Sequence, residues 1–186
     1  AANMKAHRLG WIGIGRMGYA MAERLAKGGC DITVWNRTRE KAEPLAKSGA
    51  KIAGSLADLA ACDIVFTMVS TGKDVKEVLF GANGVTSKGK APKIVVDSTS
   101  ISLDESAEIR GKLAKLGVKL LAAPVSGNAK VIKAGKLTVV ASGPKDAFDA
   151  VSPYLAAIGQ GVSYVGDGEL SRIAKICHNV MLSVVT

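Results

Sequence analysis

A chain of 186 residues holds one good-sized domain, or one domain and part of another. Hydrophobic residues make up 48% and aromatics only 4%, with no polar low-complexity tract, which excludes a disordered chain and suits a parallel α/β core of small aliphatic side chains. The formal charge of +9 comes from 25 Lys and Arg spread without a block, so it reads as a solvated basic surface, helped by an anionic cofactor and an acidic substrate, and not as a nucleic-acid interface.

No run of 18 apolar residues offers a membrane span, and the apolar start at Leu9–Ile14 is too short for a secretory signal. Cys30, Cys62 and Cys177 are odd in number and widely spaced. They read as reduced, partly buried thiols of a cytoplasmic protein, with neither a disulfide framework nor a metal site.

Residues 1–7 read as a lead-in. From Leu9 onward strand and helix patterns alternate. Strand candidates are Leu9–Ile14, Ile32–Trp35, Ile64–Val69, Lys93–Val96, Val118–Ala122, Leu137–Ala141 and Gly161–Val165. Helical stretches intervene at roughly 17–27, 39–47, 73–79, 103–115, 145–157 and 169–185. This βαβα alternation predicts a Rossmann-type, doubly wound and mainly parallel sheet with its ligand at the carboxyl ends of the strands. The shorter connections after Leu137 leave room for an antiparallel member.

Gly13, Ile14, Gly15, Arg16, Met17 and Gly18 lie between the first strand and the first helix. The spacing Gly-x-Gly-x-x-Gly, completed by a second strand, is that of a dinucleotide-binding loop: a tight turn, a close approach to pyrophosphate, and close packing of helix on strand. About 20 residues further on, where a carboxylate would hold the ribose 2′-OH of NAD, stand Asn36, Arg37 and Thr38. A guanidinium pairs with a 2′-phosphate, which points to NADP (NADPH) as cofactor; Thr38 adds a hydroxyl while capping the next helix. Met68, Val69 and Ser70, at a strand end, together with Thr99, are expected to line the cofactor cleft, while Asp97 and Ser102 are candidate caps for the helix near Leu103.

Beyond the strand at Val118–Ala122, Pro124 is followed by Ser126, Gly127 and Asn128. A hydroxyl and an unshielded N–H there suit a carboxylate or an oxyanion, although Pro-x-Ser-Gly also makes an ordinary turn. Lys175 and Asn179 are four apart and share a helix face. A lysine so placed is either a solvated charge with a snorkelling stem or a general acid/base with Asn179 beside it. His178 points away from that face and reads as structural.

Four motifs in order resemble the β-hydroxyacid dehydrogenase family, which includes 3-hydroxyisobutyrate dehydrogenase and the glyoxylate and succinic semialdehyde reductases. They are Gly13 to Ala22, Asp97-Ser98-Thr99-Ser100, Ala123-Pro124-Val125-Ser126-Gly127-Asn128, and Lys175 with Asn179. The resemblance implies hydride transfer between nicotinamide and a small β-hydroxy acid, its semialdehyde or glyoxylate. It makes Lys175 the general acid/base and Ser126, Gly127, Asn128 and Asn179 the substrate-binding residues.

Two departures stand out. Asn128 replaces the family's second glycine and is expected to narrow the carboxylate pocket or remove a close backbone approach. Family members also continue into an all-helical domain. Residues 8–166 are therefore expected to form the dinucleotide-binding domain and 167–186 the start of an interdomain helix. On that reading the chain alone binds cofactor, turns over poorly, and self-associates through Ile173, Ile176, Val180 and Val184; the full-length protein pairs through its C-terminal helices. Rival readings are a non-catalytic NADP-binding interaction or sensing module, and an imine reductase on the same scaffold.

Overall fold

The computed structural model describes residues 3–185, the side chains of 179–185 excepted. Strand β1 (Arg8–Ile12) runs into a turn and helix α1 (Arg16–Lys27), and strand β2 (Asp31–Trp35) returns beside β1 in parallel. On α1 the buried residues Gly18, Met21, Ala22 and Leu25 fall on one stripe at helical spacing. The helix ends at Gly28 and Gly29, the latter with φ 88°, which lets the Cys30 N–H reach the Leu25 carbonyl.

Beyond β2, the stretch expected to be one helix over 39–47 is a single α-turn, α2 (Arg39–Ala42), followed by a 3-10 helix at Glu43–Ser48. The cause is Pro44, which has no N–H to donate and crowds the carbonyl four residues back. The two-residue strand β3 (Lys51–Ile52) and a 3-10 helix at Leu56–Ala61 were not expected; both are too short to show a hydrophobic period.

Strand β4 (Ile64–Thr67), helix α3 (Gly72–Phe80), strand β5 (Ile94–Asp97), helix α4 (Leu103–Lys115) and strand β6 (Lys119–Ala122) continue the alternation. All six strands form one parallel sheet in the order β3-β2-β1-β4-β5-β6. Strand order reverses between β1 and β4, which opens a crevice above their carboxyl ends. Successive residues point to opposite faces: Phe66 and Val96 join one core while Val65 and Val95 join the other. The first core packs against α1 and the helix over 145–158; the second packs against α3 and α4.

The remaining chain does not extend this sheet. Strand β7 (Val125–Ser126), helix α5 (Ala129–Lys133), strand β8 (Leu137–Ala141), helix α6 (Lys145–Ile158) and strand β9 (Gly159–Tyr164) build a second, three-stranded sheet ordered β7-β8-β9. Its antiparallel pair is β7 with β8, whereas β8 and β9 run parallel. The antiparallel member thus precedes Leu137, in the segment expected to be a turn. A bridge between Ala122 and Ser142 joins the two sheets, and helix α7 (Leu170–Val185) follows β9.

The cap of α4 is Ser102, whose Oγ accepts from the Glu105 N–H while the Glu105 carboxylate accepts from the Ser102 N–H. Ser102→Ala is expected to cost about 1 kcal/mol, read as a lowered denaturation midpoint with an unchanged far-UV spectrum.

Candidate functional site

The turn after β1 is made by backbone packed on backbone. Gly13 has φ 104°, and a Cβ there would overlap the Met68 carbonyl; a Cβ on Gly18 would overlap the Gly13 carbonyl. The buried Trp11 indole, stacked on Phe66 at 5.1 Å, donates from Nε1 to the Gly13 carbonyl at 3.0 Å. Gly13 N–H donates to the Trp35 carbonyl, and Ile14 N–H to Asn36 Oδ1 at 2.8 Å. Gly15 differs: a Cβ built on it meets no protein atom within 4 Å. Its missing side chain therefore leaves open space in front of the α1 N-terminus, whose first turn carries no acidic residue.

These residues line a cleft of about 440 Å³ at the carboxyl ends of β1, β2 and β4. The structure gathers here Gly13, Ile14, Gly15, Arg16, Met17 and Gly18 with Asn36, Arg37 and Thr38, and with Met68, Val69 and Ser70. Trp35, at the end of β2, also lines it, as do Lys41 and Asp74; sequence reasoning missed the last two because the α2 turn and α3 place them there from outside the motif. Arg37 lies 3.6 Å from Asp74 and is largely exposed, so that pair is weak and the guanidinium stays available. Asn36 bonds within the protein: Oδ1 to Ile14 N–H and Nδ2 to the Thr38 carbonyl. Thr38 occupies the cap position of α2, but its hydroxyl makes no cap bond, contrary to expectation.

Two further expectations need correction. Thr99 is fully buried and does not line the cleft; its Oγ1 accepts from the Val69 N–H at 3.1 Å and so holds the loop that does. Asp97 is no helix cap. It is fully buried and pairs at 2.7 Å with Arg172, itself buried on α7. A single sequence carries no sign of this partnership, because the two residues lie 75 apart.

Lys175 stands one turn beyond Arg172. It is half-buried, and Nζ donates to the Val125 carbonyl at 2.8 Å. Burial, then the nearby Arg172 charge, hold its pKa below the ordinary 10.5. It lines a second cleft of about 630 Å³ with Ser70, Thr71, Ser100 and Ser102 and with Lys73 and Glu105. Ser70 belongs to both clefts, so the two adjoin.

The Lys175 bond to Val125 ties the lysine to the strand carrying Ser126, which is exposed beside Gly127. Gly127 has φ 146°, a conformation side chains rarely adopt. Asn128 has φ −135°, which any residue accepts, and its Oδ1 accepts from the Val131 N–H at 2.9 Å to cap α5. It therefore needs no glycine backbone, and it lines a smaller recess with Arg16 and Met17 apart from Lys175. The side chains of Asn179, Val180 and Val184 lie outside the described residues. Cys30 and Cys62 are buried, which pushes both thiols up, Cys62 to about 11, and makes them poor nucleophiles; Cys177 is exposed, as is His178.

The glycine loop separates fold from ligand in a testable way. Gly18→Ala is expected to lower the denaturation midpoint because the Gly13 carbonyl must move. Gly15→Ala is expected to leave the midpoint unchanged and to weaken binding of a nicotinamide dinucleotide in titration.

The sequence profile of the NAD-binding domain of 6-phosphogluconate dehydrogenase matches residues 8–166. The chain is 33% identical over 175 residues to glyoxylate/succinic semialdehyde reductase 2, chloroplastic, of Arabidopsis thaliana, covering 94% of this chain and 49% of that protein. It is 32% identical over 177 residues to mitochondrial 3-hydroxyisobutyrate dehydrogenase of Mus musculus, covering 95% and 53%. The chain thus spans about half the length of these relatives. Among solved structures, Psf3 in complex with NADP+ and 2-OPP superposes with a TM-score of 0.85 at 29% identity, covering 93% of this chain and 62% of that one. An imine reductase from Myxococcus stipitatus in complex with NAD+ superposes with a TM-score of 0.82 at 27% identity, covering 96% and 62%. With a profile match across most of its length and a glycine loop built for a pyrophosphate, the chain belongs to the family of the NAD-binding domain of 6-phosphogluconate dehydrogenase.

Proposed function

We propose that this chain is the cofactor-binding half of an NADP(H)-dependent oxidoreductase acting on a small β-hydroxy acid or its semialdehyde or glyoxylate counterpart. The observation that carries the reading is the meeting of two clefts at Ser70, one walled by the glycine loop and the other holding a half-buried Lys175. The residues fit the cofactor: Gly15 leaves room for a pyrophosphate at the α1 N-terminus, and Arg37 and Lys41 supply cations where a 2′-phosphate would lie. The bound dinucleotide supplies or accepts the hydride.

The protein's own part is proton transfer and alignment. Lys175 Nζ gives a proton to the carbonyl oxygen in reduction and takes it from the hydroxyl in oxidation. Its lowered pKa brings the exchange nearer neutral pH, while its bond to the Val125 carbonyl tethers Nζ to the strand that carries Ser126. Ser126 Oγ and the Gly127 N–H hold the substrate carboxylate, and Asn179 is assigned beside them on α7. Ile173 and Ile176, exposed on that helix, are covered in this reading by the remaining half of the enzyme. The similarity to an imine reductase favours a second reading, reduction of a C=N bond, which a panel of semialdehydes against cyclic imines separates.

Titration of the chain with NADPH and NADH, followed through Trp35, is expected to favour NADPH, and Arg37→Ala to weaken NADPH by about tenfold, the worth of one charge-assisted bond. Preference for NADH overturns the 2′-phosphate assignment. In the full-length enzyme Lys175→Ala is expected to lower kcat by about 10²–10⁴-fold with NADPH binding retained. In the reducing direction Lys175 must begin protonated. The rate is therefore expected to fall as pH rises through a value below 10.5, and in oxidation to rise through it.

A further inference from the structure

Arg172 is 3% exposed and Asp97 0%, and each nitrogen of the guanidinium donates a hydrogen bond. Nη2 donates to Asp97 Oδ2 at 2.7 Å, Nη1 to the Thr99 carbonyl at 2.9 Å, and Nε to Ser106 Oγ at 2.8 Å. Asp97 Oδ1 accepts from Thr67 Oγ1 at 2.7 Å and from the Thr99 N–H at 3.3 Å. Ser106 Oγ in turn donates to Glu169, which Arg110 also holds. Three elements thus meet at the guanidinium, the end of β5, the loop after it and α4, and Thr67 at the end of β4 joins them through Asp97.

A buried ion pair is a poor source of net stability, since desolvation offsets most of the attraction; its best-attested use is to specify geometry. Two consequences of this one are directional. Arg172 lies three residues before Lys175, so fixing its guanidinium fixes the turn that carries the lysine. Thr99, whose carbonyl accepts from Arg172, also holds the Val69 N–H through Oγ1, and Val69 lines the glycine-loop cleft. The pair therefore links the wall of one cleft to the lysine of the other.

We propose that Asp97 and Arg172 are a positioning pair for Lys175, holding Nζ in the second cleft, which adjoins the glycine-loop cleft at Ser70. The inference rests on the function assigned to Lys175 above. The charged groups that share the cleft with Lys175 are Arg172 on its own helix, Lys73 on α3 and Glu105 on α4, and of these Arg172 acts on Nζ. Substituting Arg172→Lys leaves a cation against Asp97 but no planar fork to hold Ser106 and the Thr99 carbonyl together. A role in charge balance alone survives that change; a positioning role does not.

The test is competitive acetylation of Lys175 by acetic anhydride across pH, read by mass spectrometry on the intact 186-residue chain, wild type and Arg172→Lys, with denaturation midpoint and NADPH titration as controls. The expected result is a folded variant whose half-acetylation pH at Lys175 rises by about 0.5–1 unit as Nζ gains solvent. In the full-length enzyme kcat is expected to fall about tenfold with KM held. A folded variant with the wild-type acetylation profile overturns the proposal. If Arg172→Lys does not fold, Ser106→Ala decides: it removes only the hydroxyl shared by Arg172 and Glu169, a smaller shift of the same sign supports positioning, and none overturns it. If the wild-type chain fails to bind NADPH, the functional reading falls, while the acetylation comparison still judges the pair.

Discussion

Backbone touching backbone at Gly13 and Gly18 is the constraint on which the rest of the molecule depends. The Met68 carbonyl abuts Gly13 and the Gly13 carbonyl abuts Gly18, so β1, β4 and α1 meet at a distance that no side chain permits. That closeness puts the N-terminus of α1 above the reversal of strand order and seats the Trp11 indole beneath the turn. Gly15 stands on the open side of the same turn, where its lack of a side chain gives room to a ligand.

A second polar assembly governs the other end of the site. Helix α7 does not lie on the sheet through apolar contact alone. Its start is pinned by Ser171, which donates to the Ala122 carbonyl, by Arg172 on Asp97, and by Glu169, just before the helix, between Ser106 and Arg110. Such a network fixes direction where packing of small residues fixes only distance. Lys175 inherits both its place and part of its electrostatics from it, since burial and the Arg172 charge each disfavour the protonated amine. The basic character of the glycine-loop cleft is more dispersed: Arg16, Arg37 and Lys41 surround it, with Asp74 as a partial counterweight.

Sequence reading succeeded where one local rule governs a long segment. Alternation of apolar strands with amphipathic helices located five strands of the six-stranded sheet, all but the two-residue β3, and the glycine spacing located the cleft, because both depend on near neighbours in the chain. It failed at short elements and at partnerships between distant residues. The pairing of β7 with β8 rests on Val125 opposite Val139 and Ser126 opposite Thr138, two rungs with no hydrophobic period to announce them. Asp97 looked like a helix cap because a cap is the local use of an aspartate before a helix; its true partner lies 75 residues away. Thr99, placed in the cleft by its motif, turned out to support the cleft wall from behind.

The amino-acid sequence by itself determined the α/β class, the alternation of the longer strands and helices, the glycine turn and the residues around it. These follow from backbone conformational limits and from periodic burial, which act within a few residues. Tertiary structure alone decided that the last three strands form a separate sheet, that Asn36 and Thr99 hold loops in place, that Lys41 and Asp74 enter the cleft, and that Lys175 is half-buried one turn from a buried ion pair. The reason is common to all of them: hydrogen bonds and charges select partners by distance in space, and only the folded chain brings those partners within 3 Å or so of one another.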